Sequence, residues 1–201
     1  MSDSVEQSVF WESRYLSANA PWDLGEPTPP LVSFLQQAIA PKSGKIIVLG
    51  CGQGQDAVFL AQQGLTVTAV DFAPSAVQAT QNLAASKEVT LTVMEQDIFS
   101  LKENHKNQFD YLFEHTCFCA IAPECRQDYV ELAATLLKPN GALYGIFFTH
   151  NRDGGPPWAT TIAEVKELFS PYFDIEDLSL ISNSIPRRQG FEHWGSLRRK
   201  S

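Results

Sequence analysis

Residues 45–54 read Lys-Ile-Ile-Val-Leu-Gly-Cys-Gly-Gln-Gly, and this run determines the architecture that the sequence predicts. A continuous apolar run is typical of a buried parallel strand, and glycines let a ligand come close to the backbone. Asp71 ends the next apolar run, at the separation where a carboxylate accepts the hydroxyls of a ribose. Together these features predict a Rossmann-type nucleoside site.

The spacing of the glycines bears on which nucleoside is bound. They lie at Gly50, Gly52 and Gly54, and Gln55 occupies the position of the third glycine in the dinucleotide fingerprint Gly-x-Gly-x-x-Gly. This departure favours S-adenosylmethionine over NAD or FAD. A tight strand-to-helix turn recruits glycine for positive φ whatever it binds, so the glycines alone leave a purely structural interpretation open.

Length and composition predict one α/β domain over residues 1–201. The chain has 201 residues, 44% of them hydrophobic. Residues 1–30 are interpreted as an N-terminal lid helix with a proline-rich segment, and residues 31–201 as the Rossmann-like core. No apolar run is long enough to span a bilayer, and the stretch from Met1 to Glu6 lacks a signal-peptide pattern, so we expect a cytoplasmic protein without membrane contact.

The net charge bears on nucleic-acid binding, and the spacing of the cysteines bears on disulfides and metal sites. A formal net charge of −8 argues against nucleic acid, because affinity for phosphate backbones depends on cationic contacts. The four cysteines are expected to be reduced thiols, with no metal site, because they show neither paired metal-ligand spacing nor a disulfide framework. They are Cys51, Cys117, Cys119 and Cys125.

Strand-like and helix-like segments alternate along the chain, the pattern typical of a parallel sheet with helices on both faces. The predicted strands are 46–49, 66–70, 89–94, 109–113, 142–148, 173–180 and 190–198. The predicted helices are 5–16, 56–63, 75–85, 124–137 and 161–169, and Pro139-Asn140-Gly141 is interpreted as a helix stop. The final strand pair predicts the seven-stranded sheet of class I S-adenosylmethionine-dependent methyltransferases, with the last strand antiparallel.

Ligands of a doubly wound sheet lie beyond the carboxyl ends of its strands, and four predicted ends carry candidate residues. The first is the glycine turn. Asp71 is suited to accept both ribose hydroxyls, and Asp97 with Ile98 is suited to hold and cover an adenine. His115 and the residues after it follow the fourth strand. Taken by itself, each acidic residue fits a helix cap or a solvated loop as well as it fits a ligand-binding role.

Several further motifs resemble the thiopurine S-methyltransferase superfamily and, within it, the halide/thiol methyltransferase branch. They are Phe10-Trp11-Glu12, Pro21-Trp22-Asp23-Leu24-Gly25, Phe118-Cys119-Ala120-Ile121, Pro123-Glu124, Gly154-Gly155-Pro156-Pro157 and Ser184-Ile185-Pro186-Arg187. The resemblance covers nearly the whole chain. It implies a monomeric enzyme that uses S-adenosylmethionine to methylate halide, bisulfide, thiocyanate or an organic thiol, releasing S-adenosylhomocysteine.

The resemblance, with the glycine pattern, also implies which residues bind the cofactor. These are Trp11, Tyr15, Gly50, Gly52, Gly54, Asp71, Phe72, Asp97, Ile98 and His115. Three positions depart from the branch. Tyr15 stands where a second tryptophan is usual, His115 where a tyrosine is usual, and Trp158 replaces the tyrosine after Gly-Gly-Pro-Pro.

The expected chemistry needs positioning and the removal of water more than it needs a base, because a sulfonium methyl is already activated and a soft anion is already nucleophilic. Trp22, Phe118 and Trp158 are the candidates for the acceptor pocket, although each is also compatible with a core position. For a neutral thiol, His115 is the candidate proton acceptor and His150 its competitor. Cys117 and Cys119 are interpreted as packing residues.

Three other functions remain open at this point. An NAD-dependent reductase shares the glycine turn and Asp71, but the sequence has no Tyr-x-x-x-Lys motif for a hydride site. A non-catalytic module that only binds S-adenosylmethionine keeps the cofactor residues. A methyltransferase for a bulkier aromatic thiol, or for a small oxygen or nitrogen nucleophile, has the same fold and cofactor.

Overall fold

The computed structural model of the protein describes residues 5–201, which divide into a unit ending at Ser100 and a second unit beginning at Leu101. The first four residues of the predicted N-terminal segment, which are also the start of the stretch without a signal-peptide pattern, lie outside the described residues. The assignment of the chain to one domain stays a prediction.

The first unit is a three-stranded parallel sheet with four helices. In chain order its elements are α1 (Ser8–Leu16), α2 (Pro29–Leu35), β1 (Lys45–Leu49), α3 (Gln55–Gln62), β2 (Thr66–Asp71), α4 (Pro74–Ser86) and β3 (Thr92–Glu95). The strand order is β3-β2-β1. In this register Leu49 pairs with Val70 and Val70 with Met94. The carboxyl ends of all three strands therefore lie along one edge.

Local sequence explains most of these elements. The apolar residues of β1 are buried, as a strand flanked by helices requires. Proline occupies the first turn of α4, where its missing N–H costs nothing. The same effect starts α2 at Pro29-Pro30, inside a stretch that we had interpreted only as proline-rich. α2 is not among the predicted helices, because the proline-rich segment was assigned no secondary structure.

The second unit is a mixed four-stranded sheet with two helices. Its elements are β4 (Phe109–His115), α5 (Arg126–Leu136), β5 (Leu137–Phe148), α6 (Ile162–Phe169), β6 (Phe173–Leu180) and β7 (Glu192–Arg199). The strand order is β4-β5-β7-β6, with β4 and β5 parallel and β7 antiparallel to both of its neighbours. The predicted antiparallel last strand is thus confirmed.

Several predicted boundaries were wrong, among them the first residues of three strands. β5 begins at Leu137 rather than Ala142, because Leu137 already pairs with Phe109 and the residues up to Gly141 bulge out of the register. Pro139-Asn140-Gly141 is therefore part of a strand irregularity. β3 begins three residues late, at Thr92. β7 begins at Glu192, because Gly190 adopts a left-handed φ of 82° in the preceding turn.

The cysteines agree with the expectation of reduced thiols. All four are free. Burial raises the pKa of Cys119 to about 12, so this thiol stays protonated at neutral pH, in keeping with a packing role. Within residues 5–201, no helix combines the length and the apolar character needed to cross a bilayer.

Candidate functional site

The turn after β1 is built from glycines in the left-handed region. Gly50, Gly52 and Gly54 have φ values of 60°, 55° and 83°. A Cβ on Gly54 would lie 2.6 Å from Oγ1 of Thr80, a contact that only glycine avoids. The Thr80 hydroxyl in turn donates to the Gly52 carbonyl at 2.9 Å. The turn is therefore fixed on α4 and presents backbone rather than side chains, which suits close approach of a ligand.

Asp71 joins the end of β2 to this glycine turn. Its Oδ2 accepts from the Gly52 N–H at 2.9 Å, and its Oδ1 accepts from the Ala73 N–H at 3.0 Å. Burial raises the pKa of this carboxyl, and the backbone donors oppose the rise. A carboxylate oxygen has two lone pairs, so each retains acceptor capacity for a ribose hydroxyl. Phe72, also predicted at the cofactor, follows Asp71 and is half-buried.

The aromatic residues of the N-terminal segment lie against the same turn. Trp22 makes edge contacts with Trp11 and Tyr15, with ring centroids 5.4 Å and 5.7 Å apart. Trp22 Nε1 donates to the Tyr15 hydroxyl at 3.2 Å. A Cβ built on Gly52 would lie 3.2 Å from that hydroxyl, so Tyr15 covers the turn. Trp22, predicted in the acceptor pocket, is thus grouped with two cofactor candidates.

Helix α1 is held at this site by a carboxylate rather than by a buried face. It has no buried residue. Both carboxylate oxygens of Glu12 accept from Ser75, at 2.9 Å from its backbone N–H and 2.5 Å from its hydroxyl. Ser75 belongs to the first turn of α4, where backbone N–H groups lack partners within the helix, so Glu12 caps α4. Sequence reasoning gave Glu12 no role beyond a motif.

The third edge position of the first unit carries Asp97 and Ile98. Asp97 is exposed, and its Oδ1 accepts from the Phe99 N–H at 3.0 Å in a local turn. Ile98 is buried and begins a short 3-10 helix, Ile98–Lys102. Within the first unit, the carboxyl ends of β1, β2 and β3 thus bring the glycine turn, Asp71 with Phe72, and Asp97 with Ile98 to one edge.

His115 lies in the second unit, at the end of β4, and contacts a buried arginine. Its Nε2 is 2.9 Å from Nη1 of Arg188, which also donates to Glu192 Oε1 at 3.0 Å. A guanidinium only donates, so His115 Nε2 is the acceptor and the proton of the neutral ring sits on Nδ1. The Glu192 carboxylate is 3.9 Å from Nε2, but a proton there would face the arginine donor. Sequence reasoning found neither Arg188 nor Glu192, although the motif at 184–187 ends beside Arg188.

The acceptor-pocket candidates of the second unit differ in burial. Phe118 is buried against the rings of Tyr129, Phe147 and Phe169, with centroids 5.4–6.0 Å away. Trp158 is half-buried, in the segment between β5 and α6. Phe118 therefore packs in the core, which is the second of the two positions, acceptor pocket or core, that the sequence left open for it.

The surroundings of His150, the competing proton acceptor, favour the neutral form of its ring. Burial lowers its pKa, and the charges of Arg152 and Arg126 lower it further. Its Nδ1 accepts from the Arg152 N–H at 3.2 Å. In the neutral ring the proton therefore lies on Nε2, and the basic nitrogen is already engaged.

Comparison with known proteins finds sequences similar to this chain along nearly its whole length. The sequence pattern of the family described as thiopurine S-methyltransferase (TPMT) matches residues 6–200. The chain is 30% identical to probable thiol methyltransferase 2 of Arabidopsis thaliana, over 98% of this chain and 88% of that relative. It is 31% identical to thiocyanate methyltransferase 1 of Brassica oleracea, over 97% and 86%.

A solved structure supports the fold class. The 1,6-didemethyltoxoflavin-N1-methyltransferase of Burkholderia thailandensis, with bound S-adenosylhomocysteine, is similar to this chain with a TM-score of 0.78. The similarity covers 96% of this chain and 87% of that one at 20% sequence identity. The predicted Rossmann-like methyltransferase fold is thereby confirmed.

Proposed function

The chain belongs to the thiopurine S-methyltransferase family, and from that membership we propose that it methylates small soft nucleophiles: thiols, bisulfide, halide or thiocyanate. Its reaction class is S-adenosylmethionine-dependent methyl transfer, as the sequence predicted. The relatives named for thiol and thiocyanate methylation support this choice of acceptor.

One observation carries the assignment of the cofactor side, namely that the glycine turn is bonded to Asp71 and covered by Tyr15. S-adenosylmethionine, when bound, supplies an electrophilic methyl on a sulfonium sulfur to a nucleophile. The turn fits a nucleoside with an amino-acid tail because it offers bare backbone. Asp71 would take the ribose hydroxyls, and Tyr15 with Trp11 would exclude water from above the turn.

On the acceptor side, the two candidate bases have their basic nitrogens engaged. His115 Nε2 accepts from Arg188 and His150 Nδ1 accepts from Arg152. An acceptor that reacts as a preformed anion needs neither nitrogen. We therefore assign His115 to holding the end of β4 rather than to proton transfer, and Trp158 to the wall of the acceptor pocket.

Activity against a panel of acceptors tests this function. Purified protein with S-adenosylmethionine is assayed by release of S-adenosylhomocysteine with iodide, bisulfide, thiocyanate and an aromatic thiol. We expect turnover with the small anions. Turnover with the aromatic thiol alone would favour a methyltransferase that acts on bulkier acceptors. Cofactor binding without turnover of any acceptor in a wider panel would favour a non-catalytic module that only binds S-adenosylmethionine.

Replacing His115 by glutamine separates a positioning role from a catalytic one. Glutamine keeps an acceptor for Arg188, so we expect the rate with iodide to stay flat between mildly acidic and mildly alkaline pH. The rate with a thiol should still follow the ionisation of the thiol itself. A general base, in contrast, contributes about a hundredfold or more, and its loss would remove a titration from the thiol profile. His150→Gln is the matched control.

Helix α1 is expected to become more ordered when the cofactor binds. It lacks a buried face, and it carries Trp11 and Tyr15 one turn apart beside the glycine turn. Hydrogen exchange over residues 5–24 should slow on addition of S-adenosylhomocysteine, and Glu12→Gln should speed exchange in the free protein. Identical exchange with and without ligand would mean that this segment is a packed arm and no lid.

We also infer that the enzyme is a cytoplasmic monomer with small-molecule partners. A formal net charge of −8 disfavours a nucleic-acid substrate, because phosphate backbones are held by cationic contacts. Size-exclusion chromatography with light scattering tests whether the protein is a monomer. A filter-binding assay with duplex and single-stranded nucleic acid tests whether it binds nucleic acid.

A further inference from the structure

Arg126, the first residue of α5, is a cation with only 1% of its surface exposed. A buried guanidinium is costly unless its hydrogen bonds are satisfied by well-placed acceptors. Its side-chain acceptors and carbonyl partners lie on residues 158–164, between the end of β5 and the first turn of α6. Neither the proposed reaction nor the sequence motifs give this arginine a role.

The guanidinium donates hydrogen bonds to three residues of that segment. Nη1 donates to the Ala159 carbonyl at 3.0 Å and to Oε1 of Glu164 at 2.5 Å. Nη2 donates to Oγ1 of Thr160 at 2.9 Å. The Thr160 hydroxyl donates onward to the Trp158 carbonyl at 3.1 Å. A chain of hydrogen bonds therefore runs from Arg126 to the backbone of Trp158.

Trp158 is fixed from other sides as well. Its N–H donates to the Cys119 carbonyl at 2.7 Å. His150 and Thr160 exchange two backbone hydrogen bonds of 3.0 Å each, which closes the neck of the loop that carries the tryptophan. The indole lies on Gly155, where an added Cβ would come within 2.3 Å of Cδ2. The position of the indole is thus set by its backbone and by the absence of a side chain at Gly155.

We propose that Arg126 is a positioning residue that determines acceptor selectivity, by holding residues 158–160 so that the Trp158 indole has one position. This inference rests on the proposed function, in which Trp158 lines the acceptor pocket. Lysine cannot replace the arginine, because an ammonium is a point charge without the planar fork that reaches Ala159, Thr160 and Glu164 together. The proposal requires no contact between Arg126 and either substrate.

Three variants test the proposal at different points of the arrangement. Arg126→Lys keeps the charge and removes the fork. Thr160→Val removes the hydroxyl link and keeps the shape, and Gly155→Ala displaces the indole directly. Arg198→Lys, in an exposed ion pair with Glu176, is the matched control. Each protein is assayed for S-adenosylmethionine affinity by calorimetry and for KM and kcat with iodide and an aromatic thiol.

A signal from the indole itself is measured without any turnover. Labelling the four tryptophans with 5-fluorotryptophan gives fluorine resonances, and Trp158→Phe identifies that of Trp158. We expect this resonance to shift or broaden in the three variants and to stay unchanged in Arg198→Lys. The ratio of acceptor KM values should change roughly tenfold, since small misplacements in a binding site have effects of this order or larger. Cofactor affinity should not change.

The outcomes separate this proposal from the function on which it rests. An unchanged Trp158 resonance in Arg126→Lys and Thr160→Val would overturn the positioning role. A changed resonance with an unchanged KM ratio would overturn the role in selectivity while leaving methyl transfer intact. If the wild-type protein methylates none of the acceptors, the proposed function fails, whereas the resonance still reports whether Arg126 holds Trp158.

Discussion

Asp71→Ala is expected to weaken binding of both S-adenosylmethionine and S-adenosylhomocysteine by roughly 1.5–3 kcal/mol, or about tenfold to 150-fold. Two effects add in the same direction. The variant loses the acceptor proposed for the ribose hydroxyls, and it releases the Gly52 N–H that the carboxylate fixes at 2.9 Å. Calorimetry with each ligand measures the loss.

Two further proteins make this result specific. Asp71→Asn keeps an acceptor oxygen for one backbone N–H and should fall between the wild type and the alanine variant. Asp177→Ala, on the exposed part of β6, is the matched control and should bind like the wild type. Unchanged affinity in Asp71→Ala, or a preference of the wild type for NADH, would overturn the assignment of this residue.

Much of the fold could be predicted because buried strands leave a strong pattern. The predicted bounds of β1 and β2 differ from the observed ones by one residue, and those of β6 are the same as observed. Each of these strands is an apolar or alternating run between turn residues. The start of β5 was wrong because it is set by pairing rather than by composition. The bulge between Leu137 and Ala142 depends on the register with β4, which no local pattern of the sequence encodes.

The candidate site was predictable in its residue types but not in its pairings. The glycine turn and Asp71 lie on adjacent strands of a known topology, so their proximity follows from the sheet. The bond between Glu12 and Ser75, 63 residues apart, joins the middle of α1 to the first turn of α4. The contact between His115 and Arg188, 73 residues apart, joins the end of β4 to a short 3-10 helix, Pro186–Arg188. Such contacts depend on the path of each connection in space, and a single sequence carries no signal for them.

The second large effect is expected at Glu114, a carboxylate buried in β4 of the second unit. It accepts from the Phe118 N–H at 2.8 Å and, in a short hydrogen bond, from the Tyr129 hydroxyl. Glu114→Ala leaves two buried donors without an acceptor, and each costs about 1–3 kcal/mol. We expect a stability loss of about 2–5 kcal/mol, measured by thermal or urea unfolding.

Glu114→Gln tests the electrostatic part of the same site. Burial raises the pKa of Glu114, so the folded protein holds its proton to higher pH than the unfolded chain, whose glutamates titrate at about 4.3. The stabilisation is complete below that pH and is lost as pH rises through the folded pKa. Glutamine cannot ionise, so the free energy of unfolding of the wild type, minus that of Glu114→Gln, should fall as pH rises. Burial also raises the pKa of Asp71, but it does so in both proteins, so the difference in unfolding free energy reports the titration of Glu114 alone. A difference that rises with pH would mean that Tyr129 and Phe118 stabilise the carboxylate by more than burial penalises it.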